Sequence, residues 1–564
     1  MLQKIRLTLE IIGNRSKEKL QLIILFRFFS SVTDFIGVGA VIPLIMMMAN
    51  PDIIEENKIL NTIYSFIGVS EKNDFIVLFS FIVILILFAS AVIGWLGKFI
   101  TFKYIYALNA KISTKLMKNY LVCDDDNFNK THSAQLISNI NIHAARFCNG
   151  VVLSLIELIG HASLCLVIVT VLLITEFKIT AVTFIVIAAS YYFLFVKIKK
   201  IVVDGGKNIA ELSTDRNKQM IETFSFKDVV RLYHMEPKLI DHFQRRQIAI
   251  TKLQTKIAIL GSSPIYVMEF LAVFIIIAIS IYLFTKSSDF DSHVGTLTLF
   301  GVSTYRLLPA CQRTYNALGN LMASSASVPK VYEDLILEES LAKQANVQWE
   351  WGQRIQLSNI DFKYSDGHEL FKSLSLNIPL SGVIQLKGRS GSGKSTLVKM
   401  LAGICRPASG ELVIAGNNLS DVDVRAWQDH IAYVPQQTYI MDATLVENIT
   451  LNSEFDQGRL DDAIRACEIA DLKDNLPKGW DSRLGENASL LSGGQKQRIG
   501  IARALCKKAE ILIMDESMSS IDISSAKRVF QSILDLHYYQ AIIVITHREA
   551  ELPYCDHIID VDTL

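Results

Sequence analysis

The feature that most constrains this 564-residue chain is a series of long apolar stretches in its first 330 residues. A helix needs about 20 consecutive, mostly apolar residues to cross the hydrocarbon core of a bilayer. Six stretches meet that need, near residues 21–49, 75–100, 147–175, 178–197, 258–285 and 294–318. Because a spanning segment must satisfy its own backbone polar groups, the stretches predict an all-α transmembrane domain of six helices.

Basic residues are unevenly distributed among the segments that connect these stretches. The second and fourth connections are long and basic, whereas the first, third and fifth are short and contain few basic residues. The positive-inside rule therefore predicts that the N-terminus and both long connections lie in the cytosol. We expect the long connections to be helical extensions of the spans, and we expect no cleaved signal peptide.

The overall composition excludes some classes of partner. Half of the residues are hydrophobic, 20% are charged and the formal net charge is +0. This balance predicts a lipid bilayer as the surroundings of the chain and no nucleic-acid partner. The eight cysteines are scattered without a CxxC pair, which favours reduced thiols, with metal binding or disulfides as the alternative.

The character of the sequence changes near residue 353. Short runs rich in β-branched residues then alternate with helical ones, which is typical of an α/β domain with a mostly parallel sheet. The sequence therefore predicts a transmembrane domain at 1–337, a polar linker at 338–352 and a nucleotide-binding domain at 353–564. An even number of spans before it places the last domain in the cytosol.

A phosphate-binding loop follows the apolar run GVIQLKG. The motif G-x-x-x-x-G-K-[ST] is met by Gly388, Arg389, Ser390, Gly391, Ser392, Gly393, Lys394 and Ser395, with Thr396 next. Backbone N–H groups of such a loop and the N-terminus of the following helix hold phosphates. We expect Lys394 to reach the β- and γ-phosphates of ATP and Ser395 to hold Mg²⁺. The flanking strand and helix argue against a chance glycine-rich turn.

Two adjacent carboxylates end a second apolar run, ILIMDE. Asp515 is expected to join the Mg²⁺ ligands, and Glu516 to orient or deprotonate the attacking water. An ordinary exposed loop start is the alternative reading of these two residues taken alone.

The segment LSGGQ, residues 491–495, precedes these acids by about twenty residues, and with it the chain resembles the ATP-binding cassette superfamily. The resemblance covers residues 353–560. It implies that Gln436 and His547 assist hydrolysis, that Gln436 also approaches Mg²⁺, and that Tyr364 stacks on adenine. It further implies nucleotide contacts from Ser492, Gly493, Gly494, Gln495 and Asp522.

In this superfamily the LSGGQ residues bind the γ-phosphate of a nucleotide held by the opposite cassette. One chain with one cassette must therefore pair, most simply as a homodimer. A heterodimer stays open, although its usual mark is one damaged site and this site has every motif. The resemblance also makes the segments 123–136 and 222–234 candidates for coupling the spans to the cassettes.

Burying a charged residue within a membrane span costs free energy, and such residues are often functional. They include Arg27, Asp34, Glu157, His161, Glu269, Arg306 and Arg313. The candidates for a substrate cavity are Arg27, Glu157, Glu269, Arg306 and Arg313. Within it, Arg306 and Arg313 are expected to accept a phosphate or pyrophosphate head group. The alternative is structural ion pairs, with Glu157 or Glu269 as partners of Arg306 and Arg313, or side chains that extend to the membrane interface.

The first external connection contains KILNTIYSFIGV, whose apolar residues predict one face of a short amphipathic helix on the membrane surface or packed on the transporter. Together with GAVIPLIMMMANP and STYRLLPACQRTYNALGNL, this segment resembles the bacterial lipid-linked oligosaccharide flippase group. That resemblance implies an ABC exporter that moves a lipid-linked glycan across the bacterial inner membrane. An exporter of a peptide, toxin or drug is the nearest alternative. An ATP-gated channel fits less well, and six spans exclude a soluble ATPase.

Overall fold

The computed structural model describes residues 2–68, 71–122, 133–286, 291–336, 349–351, 354–364, 367–451, 454–485, 491–548, 552 and 554–563. They divide into two compact units: a helical unit that ends with the helix at Ser327–Ile336, and an α/β unit that begins with the described residues at 349. The division follows the change in sequence character, from long apolar runs to short strands.

The first unit is built from helices. In chain order they are α1 (Leu2–Ile12), α2 (Asn14–Gly39), α3 (Val41–Ala49), α4 (Ile53–Glu56), α5 (Lys58–Ile67), α6 (Lys72–Val122), α7 (Ser133–Ser138), α8 (Leu153–Thr175), α9 (Phe177–Ser225), α10 (Lys227–Leu232), α11 (Glu236–Lys286), α12 (Asp291–Ser324) and α13 (Ser327–Ile336). Two π-helical segments, Asn139–His143 and Arg146–Val152, lead into α8.

Each predicted span lies on a helix of this unit, and α6, α9 and α11 continue far beyond their apolar parts as predicted. Within the described residues, four helical stretches are long and apolar enough to cross a membrane: Asn14–Met48, Lys72–Leu121, Gln135–Thr175 and Glu236–Ile281. The predicted fourth span is represented by the shorter apolar stretch Phe177–Ser190. The predicted sixth span, on α12, is less apolar because it carries two arginines and several amides.

The predicted first span is not one continuous helix. It divides at Ala40, because α2 ends at Gly39 and α3 begins at Val41. Pro43 lies in the first turn of α3, where its missing N–H group leaves no helical hydrogen bond unmade. The predicted coupling segment 123–136 lies outside the described residues except for 133–136, which begin α7.

The second unit contains two sheets and the helices that cover them. Its strands are β1 (Ile355–Lys363), β2 (Glu369–Ile378), β3 (Gly382–Lys387), β4 (Ser409–Ile414), β5 (Asn417–Asn418), β6 (Ile431–Val434), β7 (Ile511–Asp515), β8 (Ala541–Ile545) and β9 (His557–Asp560). Its helices are α14 (Lys394–Leu401), α15 (Val424–Gln428), α16 (Leu445–Thr450), α17 (Gln457–Ala466), α18 (Gly493–Cys506) and α19 (Ile523–Asp535).

The larger sheet has the strand order β6-β7-β8-β3-β9, and all its pairings are parallel. Every residue of β7 and β8 is buried, as expected for central parallel strands covered on both faces. In a parallel sheet the carboxyl ends of all strands meet at one edge. The loops after β3, β6, β7 and β8 therefore converge there. The smaller sheet is antiparallel, in the order β2-β1-β4-β5.

Most of the predicted linker, residues 338–348 and 352, lies outside the described residues. Trp349 and Trp351, from the described part, pack on Trp427 with ring centroids 5.2 and 6.4 Å away. The backbone N–H of Glu350 donates to the carbonyl of Ala415. The two tryptophans, which are partly buried, therefore pack against the core of the α/β unit.

Candidate functional site

The phosphate loop connects the buried strand β3 to α14. Its glycines adopt conformations that other residues avoid: Gly393 has φ +94°, and a Cβ atom there would come within 2.6 Å of the Phe371 ring. At Gly388 a Cβ atom would lie 2.7 Å from the Ser392 hydroxyl. That hydroxyl is buried and has no hydrogen-bond partner among the described residues. The loop thus keeps its backbone close to the space that a phosphate would fill. The Ser392 hydroxyl is available to bond to that phosphate.

Lys394 begins α14 and is 6% exposed. Its Nζ atom donates to the carbonyl oxygens of Gly388 and Arg389, each at 2.7 Å. The ammonium group is therefore held over the loop by two weak acceptors. A phosphate oxygen carries more negative charge than either carbonyl, so the ammonium group on this long, flexible side chain can turn to it.

Two of the three residues predicted to hold Mg²⁺, Ser395 and Asp515, are in contact and fit that role. The Ser395 hydroxyl donates to Asp515 Oδ1 at 3.1 Å, and the Tyr433 hydroxyl contacts Oδ2 at 3.4 Å. Burial raises the pKa of the Asp515 carboxyl, an effect that the Ser395 hydrogen bond opposes. A buried carboxylate beside a hydroxyl is a hard oxygen site, and Mg²⁺ prefers such ligands.

The three residues predicted to act in hydrolysis meet at the carboxyl edge of the parallel sheet. Gln436 Nε2 donates to Glu516 Oε2 at 2.7 Å, and His547 Nε2 lies 3.0 Å from Glu516 Oε1. They follow β6, β7 and β8, which are neighbouring strands. Glu516 adopts a left-handed backbone conformation, φ +47°, with its N–H bonded to the Ile545 carbonyl at 3.0 Å. This backbone conformation is strained for a residue other than glycine, and here it accompanies the contacts of the Glu516 side chain with Gln436 and His547.

Tyr364 follows β1 and lies beside the phosphate-loop helix. Its hydroxyl and the Thr396 hydroxyl are 2.5 Å apart, and its ring is parallel to that of His368 with centroids 6.4 Å apart. Tyr364 is 39% exposed. Its predicted role at the adenine stays a prediction.

The LSGGQ residues make their described contacts away from the phosphate loop. Ser492 caps α18: its hydroxyl accepts from the Gln495 N–H at 3.3 Å, and Gln495 Oε1 accepts from the Ser492 N–H at 2.8 Å. Gly493 and Gly494 face Ser520, and a Cβ atom on Gly494 would come within 2.9 Å of the Ser520 carbonyl. The motif is thus the N-terminus of α18, with two glycines in its first turn and little side chain in front of them, which suits an anion.

Asp522 begins α19 and accepts from the Ser524 hydroxyl and the Ser525 N–H. These hydrogen bonds lower the pKa of its carboxyl. Its described contacts make it a helix cap, and its predicted contact with nucleotide stays a prediction.

Two residues near the site were not identified from the sequence. Asp562, just after β9, accepts from the Arg389 N–H through both carboxylate oxygens, at 3.1 and 2.8 Å. Gln497 on α18 connects to the loop before α19: its amide donates to Ser519 Oγ and accepts from the Ser520 N–H at 2.7 Å. Neither residue belongs to a motif, and only the pairing of β9 with β3 and the packing of α18 bring them close.

The charged residues of the spans form local pairs in the first unit. Arg306 lies 3.6 Å from Asp34, and Asp34 also accepts from the Ser90 hydroxyl at 2.9 Å. The expected ion-pair partners, Glu157 and Glu269, were therefore wrong for Arg306: α12 presents it to α2 instead. Its Nε atom is buried and has no hydrogen-bond partner among the described residues.

A second group of charges lies seven residues earlier on α2. The Arg27 side chain packs over Gly160 of α8, and the charges of Glu157 and Arg313 act on its guanidinium. The Ser31 hydroxyl donates to the Gly160 carbonyl at 2.9 Å, which marks a close approach of these two helices. Glu269 on α11 is exposed in the unit. The structure thus brings Arg27, Glu157 and Arg313 together and leaves Glu269 apart.

The predicted external amphipathic helix is α5. Its apolar residues do not form one face as predicted: Leu60, Ile63, Tyr64 and Ile67 pack beside Phe75 of α6, whereas Ile59 and Phe66 are 72% and 91% exposed. The positions i, i+3, i+4 and i+7 define the packed face, and the remaining two residues fall outside it. The side chain of Asn57 caps the helix.

The chain matches two protein-family models. The model described as the ABC transporter transmembrane region matches residues 54–306, and the model described as ABC transporter matches residues 371–519. In a comparison with solved structures, a bacterial Atm1-family ABC exporter with ATP bound superposes with a TM-score of 0.80 at 16% identity, covering 97% of this chain and 94% of that one. At this identity the likeness shows the shared fold.

Curated relatives carry transporter names. A probable ABC transporter ATP-binding/permease protein of Haemophilus influenzae is 28% identical over 375 residues, 64% of this chain and 66% of the relative. An ATP-dependent lipid A-core flippase of Syntrophus aciditrophicus is 30% identical over 341 residues, 60% and 57% of the two chains. One of Ralstonia nicotianae is 36% identical over 210 residues, 36% of each chain. The chain thus aligns with between 36% and 66% of these relatives' lengths.

Proposed function

The chain belongs to the ABC transporters, with a transmembrane region followed by an ATP-binding unit, and we propose that it hydrolyses ATP to move an amphipathic anionic lipid across a bacterial inner membrane. The observation that carries the proposal is the occurrence, in one chain, of a helical membrane unit and an ATP site with all its catalytic groups in contact. The ATP-binding unit would then lie in the cytoplasm.

Hydrolysis is assigned to the groups at the carboxyl edge of the sheet. Lys394 and the loop N–H groups hold the β- and γ-phosphates, and Tyr364 stacks on the base. Ser395, Asp515 and Gln436 would hold Mg²⁺, which when bound would neutralise charge on the phosphates. Glu516 orients the attacking water, while Gln436 and His547 keep its carboxylate in position.

The working unit is proposed to be a homodimer. Ser492, Gly493 and Gly494 present a helix N-terminus whose described contacts are local, so the anion that it suits has to come from outside these contacts. In a dimer, the γ-phosphate of the ATP bound to the second copy would be that anion. A C2 pair then completes two identical sites, and ATP binding biases the pair toward its closed state.

A lipid-linked glycan is the proposed cargo. Two relatives are named lipid A-core flippases, which supports a lipid as the general class. The Arg306–Asp34 pair and the Arg27 group supply guanidinium groups inside otherwise apolar helices, where a pyrophosphate could exchange for a carboxylate partner. The exposed Phe66 and Ile59 of α5 are available to the membrane interface or the lipid tail.

The test is ATP hydrolysis by the purified chain in lipid nanodiscs, with and without a polyprenyl pyrophosphate carrying a short glycan. We expect stimulation by this lipid, and its loss in the double variant Asp34→Asn/Arg306→Gln, which removes both charges of the pair. Arg245→Ala is the matched control, because Arg245 forms an exposed pair with Asp241 on α11. Stimulation by an apolar peptide or drug and by no pyrophosphate lipid would contradict the proposed cargo and favour the alternative exporter.

A further inference from the structure

A cavity of about 530 Å³ lies between α9, α11 and α12 in the membrane unit. Its floor is apolar, formed by Ile198, Val202 and Tyr315, which pack as one buried cluster. Its wall on α12 is polar and contains Gln312, Asn316 and Asn320. A volume of this size accommodates a small organic ligand, in the range of about 300–1,000 Å³.

The three amides form a ladder along one face of α12. They are spaced i, i+4 and i+8, and the Gln312 amide donates to Asn316 Oδ1 and to the Gly261 carbonyl, each at 3.2 Å. Gln312 is 8% exposed, and its Oε1 atom has no hydrogen-bond partner among the described residues. Leaving such a group unsatisfied costs about 1–3 kcal/mol, so a ligand donor that reached this buried amide oxygen from the cavity that Gln312 lines would recover that free energy.

The backbone around the cavity leaves the space open. A Cβ atom built on Gly261 or on Gly319 meets nothing within 4 Å, although both residues lie on helices that line the cavity. Below them the helices approach closely: a Cβ atom on Gly206 would come within 2.6 Å of the Ala323 carbonyl. Packing thus closes one end of the cavity while the two other glycines keep its middle free.

Basic residues lie on both sides of the amides that line the cavity. Lys199, which follows the apolar stretch of α9, lies at its rim, on the side that the basic connections place in the cytosol. Arg306 is six residues before Gln312 on α12, which corresponds to about 9 Å deeper into the membrane. From the membrane centre toward the cytosol, Arg306 therefore comes first, then the amides of α12 with Arg313 among them, and Lys199 of α9 lies at the cytosolic end.

We propose that this cavity is the cytosolic entry site for the sugar part of the cargo, with the amide ladder binding the hydroxyl groups of a glycan that is linked to a pyrophosphate lipid. Neutral amides both donate and accept, which matches sugar hydroxyls, whereas the guanidinium group of Arg306, nearer the membrane centre, matches the pyrophosphate. This inference rests on the proposed function and assigns its two chemical parts to two places.

The experiment measures binding of two lipids to the full chain in nanodiscs: a polyprenyl pyrophosphate with a disaccharide, and the same lipid without sugar. We expect the wild-type chain to bind the sugar lipid about tenfold more tightly, since each hydrogen bond to the ladder contributes about 1 kcal/mol. In Gln312→Leu/Asn316→Leu and in Gly319→Leu, which fills the cavity, this preference should fall below about twofold. Asn316→Leu alone serves if the double variant does not fold.

The control is Thr314→Ala on the same helix, whose hydroxyl bonds to the Ala310 carbonyl. It should keep the full preference for the sugar lipid. An unchanged preference in the ladder and cavity variants would overturn the inference and leave the proposed function intact. Loss of the dimer in Gly319→Leu would do the same, because the cavity would then be filled by a second copy of the chain. If the wild-type chain binds neither lipid, the proposed cargo fails and the inference fails with it.

Discussion

The two units of the chain treat their charged side chains differently. In the ATP-binding unit the Glu516 carboxylate has two partners on loops of neighbouring strands, at 2.7 and 3.0 Å. In the membrane unit Arg306 has a carboxylate partner at 3.6 Å and a buried Nε atom without a partner among the described residues. A parallel sheet brings the ends of its strands to one edge and so assembles a site within one chain. Helices bring together only the residues that their rotation happens to face, which leaves groups for a ligand or a second copy.

The largest effect should come from Glu516→Gln in the assembled ATP site. The amide keeps the shape of the side chain but cannot act as a base, so the rate of ATP hydrolysis should fall by about 10²-fold or more. Binding of Mg-ATP should persist, because Lys394 and the loop are unchanged. Phosphate release and nucleotide binding by equilibrium dialysis measure the two quantities separately. Hydrolysis at the native rate would remove Glu516 from its assigned role.

The next effect tests which face of α5 is packed in the membrane unit. Leu60→Ala empties a site that is 6% exposed and should cost about 2–4 kcal/mol of stability. Phe66→Ser changes a side chain that is 91% exposed and should cost less than about 0.5 kcal/mol. Thermal unfolding or proteolysis of the external segment in nanodiscs measures both. Equal costs would mean that α5 packs with the predicted single face after all.

A smaller effect separates clash from strain in the phosphate loop. Gly391→Ala introduces a Cβ atom at φ +86° with nothing within 4 Å, so it costs only backbone strain, about 1–2 kcal/mol. Gly393→Ala adds the contact of 2.6 Å with Phe371. The binding free energy of ATP should therefore weaken by roughly a further 1 kcal/mol, which is about fivefold in affinity. Nucleotide titration of the two variants gives the difference. Equal affinities would mean that Phe371 moves without cost.

The smallest effect concerns the ion pair of the membrane unit. Arg306→Gln alone leaves Asp34 charged and should destabilise the chain more than Asp34→Asn/Arg306→Gln does. The coupling energy of the double-mutant cycle should be about 1 kcal/mol, measured by thermal unfolding in nanodiscs. Additive effects of the two single changes would mean that the pair is not formed in the bilayer, and the contrast between the units would become sharper.

The motifs of the ATP-binding unit were predictable because their function depends on local spacing. The phosphate loop, Asp515 and Glu516 each follow an apolar strand, and that context is visible in the sequence. Gln436 and His547 contact Glu516 because β6, β7 and β8 are neighbours in the sheet, and the roles in hydrolysis that the family resemblance implies for them stay predictions. Asp562 was not predictable, because its distance from Arg389 depends on how β9 pairs with β3.

The membrane unit was predictable in its helices but not in its partners. Hydropathy locates a span, yet the rotation of each helix decides whether Arg306 meets Asp34, Glu157 or Glu269. A shift of one residue turns a helical side chain by about 100°, which is enough to change its partner. The break at Ala40 and the π-helical segments before α8 alter this rotation locally, and the sequence carries no clear mark of either.

The hydrogen bond between Asp562 and the Arg389 N–H has a consequence for how the nucleotide site can be observed. Exchange of that amide with solvent deuterium requires the turn at Val561–Thr563 to release the loop, so its protection reports the local stability of β9. Nucleotide held by the loop would raise the energy of the same opening. The exchange rate of the Arg389 amide therefore reports whether the loop holds nucleotide. Hydrogen-exchange mass spectrometry can follow it without altering any catalytic residue.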